Sequence, residues 1–135
     1  MIENKEKSIV YVYTTCSNKE EAKKLCVSAI KEKLAIPTDY WVVNSTYPWD
    51  GVIKEINQYM IMFSTQMIVS EKLIKHLESI HPYLIPIITR SDTSMSNQQC
   101  RFWADSFFLN KSEFLTENEL KAKKNSEETA YMKLK

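Results

Sequence analysis

Thr38–Thr65, TDYWVVNSTYPWDGVIKEINQYMIMFST, decides how this chain folds. It reads as two long strands closed about the turn Tyr47-Pro48-Trp49-Asp50-Gly51. Gly51 is the only glycine in the chain and follows an aspartate. Asp-Gly between β-rich runs signals a tight hairpin, because such a turn needs positive φ, which glycine adopts without steric cost. The flanking Val, Ile, Tyr, Trp and Thr suit a pleated, half-buried surface. Tyr59–Phe63 is apolar without a break, which predicts burial on both faces. At about 3.3 Å per residue, a second strand of about 14 residues spans about 46 Å, whereas a helix of about 16 residues covers only about 24 Å. The hairpin must therefore project past any helix laid across it. A protruding ribbon bearing Trp41, Tyr47 and Trp49 presents bare strand edges that associate with neighbours, so the chain is expected to be an oligomer.

Working outward, Ser8–Thr14 (SIVYVYT) reads as a compact central strand. Ser17 with Glu20 three residues on has the form of a capping box, and Ala22, Leu25, Cys26, Ala29, Ile30 and Leu34 then recur at helical spacing. Pro37 is expected to close that stretch. Beyond Thr65, Leu73, Ile74, Leu77 and Ile80 form a second apolar helix face, which Pro82 should stop near His81. Leu84–Ile88 reads as a short strand with Pro86 inside it, hence an edge strand or a bulge. Ser91–Asn97 reads as a polar loop, and Cys100, Trp103, Ala104, Phe107 and Phe108 define a third helix. The order is that of a split βαβ, a ferredoxin-like α+β sandwich (βαββαβ) with a long central hairpin and an extra C-terminal helix. One domain is expected over residues 1–110, followed by a charged, solvated tail over 111–135.

Composition narrows the function. The 135 residues are 44% hydrophobic and 26% charged, with net charge +1, so no basic face is offered to nucleic acid. No run approaches the length of a membrane span, and the charged N-terminus lacks a signal-peptide pattern. Three widely spaced cysteines, Cys16, Cys26 and Cys100, read as free thiols in a reducing compartment, which predicts a cytoplasmic protein. Catalytic equipment is sparse. A single glycine excludes phosphate-cradling loops, and no base–nucleophile pair can be named, so the chain is not expected to be an enzyme. His76 reads as a surface residue. His81 stands where a helix must end, as either a hydrogen-bonding group or a ligand for a soft or borderline metal.

Several motifs fall in register: YTT at Tyr13–Thr15, EEAKKL at Glu20–Leu25, EKLA at Glu32–Ala35, STYPWDG at Ser45–Gly51 and HPYLIP at His81–Pro86. Together they resemble the CutA family, the divalent-cation tolerance proteins, over Ser8 to about Leu109. The resemblance implies a homotrimer of ferredoxin-like subunits similar in plan to the PII signalling proteins, with long hairpins pairing across subunits. It also implies binding of copper or another divalent metal ion in response to metal stress. On this chain the implied metal residues are His81 and Cys16. The family's strand-end cysteine position carries Thr14, its second histidine position carries Ile80, its cysteine after the first helix is Pro37, and its acidic positions after Pro-Tyr are Leu84 and Ile87. An alternative is a PII-like interaction module whose intersubunit clefts hold a small ligand or partner. Tyr47, Trp49 and Tyr83 then supply either the cleft or the trimer interface.

Overall fold

In the computed structural model, which describes residues 5–93, 96–109 and 116–134, the chain is a four-stranded antiparallel sheet with two helices laid on one face. After a 3-10 turn at Lys5–Lys7, the elements run β1 (Ile9–Cys16), α1 (Lys19–Lys31), β2 (Ile36–Trp49), β3 (Val52–Gln66), α2 (Met67–Ile80), β4 (Ile88–Asp92), α3 (Gln98–Leu109) and α4 (Glu117–Leu134). The sheet order is β2-β3-β1-β4, with β1 central as expected.

The hairpin closes at Asp50-Gly51, whose φ angles of 50° and 76° give the two left-handed residues that a tight turn requires. Trp49 pairs with Val52, and the ladder then runs back to Ile36 opposite Ser64, with one irregularity between Ile36 and Thr38. Pro37 sits at that irregularity, on an outer strand where a missing N–H is tolerated. It therefore opens β2 but does not end α1. Helix α1 stops earlier: the N–H of Leu34 bonds to Ala29 O at 2.9 Å and that of Lys33 to Ile30 O at 3.0 Å, with Lys33 at φ 60°. This pair of bonds with a left-handed residue is a Schellman stop, made here without glycine. The start of α1 also shifts by one residue. Asn18 is the N-cap, its side chain accepting the Glu21 N–H at 2.9 Å, while Glu21 Oε2 reaches back to the Ser17 N–H at 3.0 Å. The reciprocal box thus uses Asn18 and Glu21, because an amide oxygen caps as well as a hydroxyl.

The main core lies between the sheet and the two helices, where Val12, Ile61, Phe63, Leu25, Leu73 and Leu77 are fully or almost fully buried. Strand alternation puts Tyr11, Tyr13, Trp41, Met60 and Met62 on the other face, so Tyr59–Phe63 is buried on one face and half-covered on the second. Helix α3 covers one end of that face: Ala104 and Phe107 pack with Ile9 and Ile36, and Gln66 donates to Asp105 at 2.6 Å. The second face is thus partly covered by the chain itself.

The fourth strand is displaced from its expected place. β4 occupies Ile88–Asp92, and residues 81–87 form no strand. Pro82 and Pro86 remove ladder donors from the apolar segment. Polar Thr89–Asp92 can serve as a strand because an edge exposes their side chains; Arg90 is tied to Asp92 at 2.8 Å and reaches Ser70 at 3.2 Å. The expected polar loop therefore begins as strand, and its residues 94 and 95 lie outside the described residues. Of the segment 111–135, residues 111–115 and 135 lie outside the described residues as well. Within it, α4 starts at a Thr116–Glu119 cap, and Leu120 is the only described side chain of α4 with partial cover.

A Cβ built on Gly51 would meet nothing within 4 Å, so any cost of substitution there comes from φ alone. Gly51→Ala is expected to lower stability by about 1 kcal/mol, read by chemical denaturation. An unchanged midpoint would show that the turn does not need its left-handed residue.

Candidate functional site

Loop 81–87 leaves the end of α2 and passes the C-terminal end of β1, where the register of β1, β3 and β4 brings four segments together. Helix α2 ends at His81, whose backbone is extended (φ −69°, ψ 133°), as expected before Pro82. The ring is then fixed from both sides. Its Nδ1 accepts the Tyr83 N–H at 3.1 Å. An amide can only donate, so Nδ1 carries the lone pair and the neutral ring has its proton on Nε2. That Nε2–H points at Thr15 O (2.9 Å) and Thr14 Oγ1 (3.1 Å), while the Thr14 hydroxyl donates to Ile87 O at 2.8 Å. Of the two roles open to His81, hydrogen bonding at the helix end is the one the geometry displays. Burial lowers its pKa from 6.5, outweighing the Thr15 carbonyl and the charge of Glu21 that act the other way.

Tyr83 forms the second half of the corner. Its ring lies 5.0 Å from that of His81, and its hydroxyl donates to Gln58 Oε1 at 2.6 Å and accepts from Ser17 Oγ at 3.3 Å. Burial, more than the neighbouring Cys16, Glu21 and Tyr47, raises its pKa, so the phenol stays a donor at neutral pH. Tyr47 is thus close enough to feel Tyr83 electrostatically. Trp49 is not part of this corner. It sits opposite Val52 at the far end of the hairpin, six residues along β3 from Gln58 or about 20 Å.

Cys16 is the last residue of β1, next to Thr15, but its side chain turns into the core with 0% exposure. Its thiol lies 3.6 Å from Asn18 O, and its pKa is pushed up to about 11, first by burial and then by Glu21. Cys26 and Cys100 are likewise free thiols. Among the described residues no three His, Cys, Asp or Glu side chains converge as a metal centre would require. His81 stands at the corner as a single imidazole, and among the described residues the corner does not fit a closed multi-donor centre. Ligation at Nδ1 must displace the Tyr83 N–H, and ligation at sulfur must remove a tightly held proton.

Gln58, Ser17 and Glu21 complete the corner, a role the sequence marks for none of them. Ser17 reads in the sequence as a helix-start residue and Glu21 lies in the EEAKKL segment, whereas nothing local marks Gln58, which β3 brings in. Thr14 was placed there by the resemblance, and its hydroxyl now joins His81 to Ile87.

The CutA1 divalent ion tolerance protein family matches residues 10–107. Among curated relatives, the divalent-cation tolerance protein CutA of Pyrococcus horikoshii is 28% identical over 95 residues, covering 70% of this chain and 93% of that protein. That of Thermococcus kodakarensis is 27% identical over 94 residues, covering 70% and 90%. Among solved structures, CutA from Synechococcus elongatus superposes with a TM-score of 0.74 at 27% identity, covering 79% of this chain and 94% of that one. CutA of Pyrococcus horikoshii gives 0.71 at 28%, covering 73% and 97%.

Tyr83→Phe deletes one donor to the buried Gln58 and should cost about 1 kcal/mol, measured by thermal or chemical unfolding; an unchanged stability would remove Tyr83 from the corner's support. A second expectation follows from His81. Its folded pKa is lowered, so below its ordinary value of 6.5 the unfolded chain binds the extra proton. The contribution is complete above pH 6.5 and is lost as pH falls from there through the folded pKa. His81→Asn should therefore flatten stability between pH 7.5 and pH 5 relative to the unchanged chain, and parallel profiles would refute this.

Proposed function

The chain belongs to the CutA1 divalent ion tolerance protein family, and on that premise we propose that it is a homotrimeric divalent-cation tolerance protein. Its subunits are ferredoxin-like and are arranged as in the PII signalling proteins. The observation that carries the trimer is the reach of the hairpin. Strands of 14 and 15 residues stand beside helices of 13 and 14, and the overhang exposes Trp49, Val52 and Ile53. Apolar strand carried beyond its own helices is stabilised by neighbours.

Copper or another divalent ion is the cargo in this reading, held weakly at His81 with Cys16 as the soft donor. Neither donor is free at neutral pH, so the affinity is expected to be on the order of micromolar or weaker, and greater as pH rises. Thiolate participation favours Cu(I). The domain is residues 1–110, and 111–135 is dispensable for fold and assembly. Three free thiols support a reducing, cytoplasmic setting. Among the described residues no helix is long and apolar enough to cross a membrane. The role is binding, without catalysis.

A second reading is favoured by the polar hub of Tyr83, Gln58 and Ser17: a small organic ligand bound in the clefts between subunits, with Tyr47 and Trp49 of the hairpin as aromatic contacts. A compound that raises the melting temperature without metal would favour it.

Light scattering of the full chain at micromolar concentration should give about three times 15.9 kDa, and a chain cut after Lys111 should give a trimer too. A mass of one chain would defeat the assembly. In metal titrations of the full chain, His81→Ala should abolish stoichiometric binding, and Cys16→Ser should weaken Cu(I) more than Zn(II). Nanomolar copper binding that survives both substitutions would move the site elsewhere.

A further inference from the structure

The face of the sheet turned away from α1 and α2 carries a pair of soft donors. Of the six methionines in the chain, Met60 and Met62 stand on the same face of β3, with Cα atoms about 7 Å apart. The register seats Trp41 beside Met60 and Asp39 beside Met62 on the β2 side. On the β1 side it seats Thr15 beside Met60 and Tyr13 beside Met62. Two thioethers therefore lie between an indole and a phenol, with one carboxylate next to them.

Methionine beside aromatic rings ordinarily serves as packing. Here the packing is incomplete. Among the described residues, the two core clusters are built without Met60, Met62, Tyr13 or Trp41. Both methionines keep part of their surface open, and Trp41 is 43% exposed. Helix α3, which covers part of this face, packs at the Ile9 and Ile36 end. Ile9 pairs with Gln66, six residues along β3 from Met60 and about 20 Å away.

We propose that Met60 and Met62 together bind one Cu(I) ion beside the Trp41 ring, at a site separate from the His81 corner. A methionine side chain has three rotatable bonds, so sulfurs on neighbouring same-face positions can close on a single ion. Thioether sulfur is soft and uncharged and has no proton to lose, which selects Cu(I) over Zn(II). The face of an aromatic ring attracts a cation, and indole does so best. Asp39 balances the charge of the ion. The sheet separates this site from Cys16: Thr15 pairs with Met60, whereas the next residue turns its side chain into the core. Lacking thiolate and imidazole, the site holds Cu(I) more loosely than the corner and fills after it. It depends on neither the trimer nor the corner.

The experiment adds Cu(I) anaerobically to the full chain, isotopically labelled at its methionine methyl groups, and follows those methyls by nuclear magnetic resonance. The single substitutions Met60→Leu and Met62→Leu assign the two signals. Both should shift together once the corner has filled, while the Met67 signal stays in place and Zn(II) moves none of them. Tryptophan fluorescence should fall in the same step, and Trp41→Phe should remove that fall. Met60→Leu with Met62→Leu keeps side-chain volume; it should leave the far-ultraviolet spectrum unchanged and weaken this Cu(I) step at least tenfold. If Cu(I) is taken up with both methyls unmoved, or with the double substitution making no difference, the thioether site is overturned and the corner reading stands. Equal shifts with Zn(II) would overturn it too. If the methyls respond while His81→Ala and Cys16→Ser change no Cu(I) uptake, the thioether site stands and the corner reading falls.

Discussion

A strand advances about 3.3 Å per residue and a helix about 1.5 Å, and in this chain that ratio meets strands and helices of nearly equal residue number. Helices of 13 and 14 residues cover about 20 Å, while β2 and β3 run more than twice as far. The sheet is also uneven within itself, since β1 has 8 residues and β4 has 5. Near Ile9 and Ile36 the sheet has helices on one side and α3 on the other. Toward Gly51 it thins to a bare two-stranded ribbon. Such a ribbon is marginal in water on its own. The core fixes one end of the hairpin, and what the other end meets determines what the molecule is.

The corner at His81 lies at the boundary between those two regimes, and its chemistry follows from that position. It is buried enough for the imidazole to be held neutral and for the Cys16 thiol to keep its proton. It is also open enough that Tyr83 reaches both the end of β1 and the start of the ribbon. At the corner the His81 ring, the Cys16 thiol and the Tyr83 hydroxyl are each already engaged with another part of the chain. A cation taken up there would compete with the bonds that hold loop 81–87 in place, which would link its binding to the loop's position.

How legible was all this beforehand? The hairpin, the two helical stripes and the central place of β1 could be read because periodicity and a single glycine report local geometry directly. The family resemblance rests on those segments together with HPYLIP at His81–Pro86. The expectation of a strand at Leu84–Ile88 rests on apolarity, and the chain places β4 at Ile88–Asp92 instead. At an edge, available backbone donors matter more, and polar Thr89–Asp92 has them where Pro86 does not. At α1 the cap lies one residue past Ser17, at Asn18, and the helix is stopped by Lys33 and not by Pro37. At the corner, His81, Tyr83 and Cys16 were nameable from sequence, but their mutual arrangement was not. Gln58 comes from a strand 25 residues away from Tyr83 in sequence, and no local pattern encodes that meeting.

The deep placement of Cys16 and Cys26 has a use of its own. A thiol reacts with alkylating reagents as thiolate, and these two are sequestered in the core with pKa values raised by burial. They are therefore silent while the sheet and helices stay together, and become reactive when the core breathes. Cys26 lies on α1 and Cys16 at the end of β1, so the two label different parts of the same opening. The rate at which each is alkylated is an internal clock for local unfolding, written into the native chain and readable without any added probe.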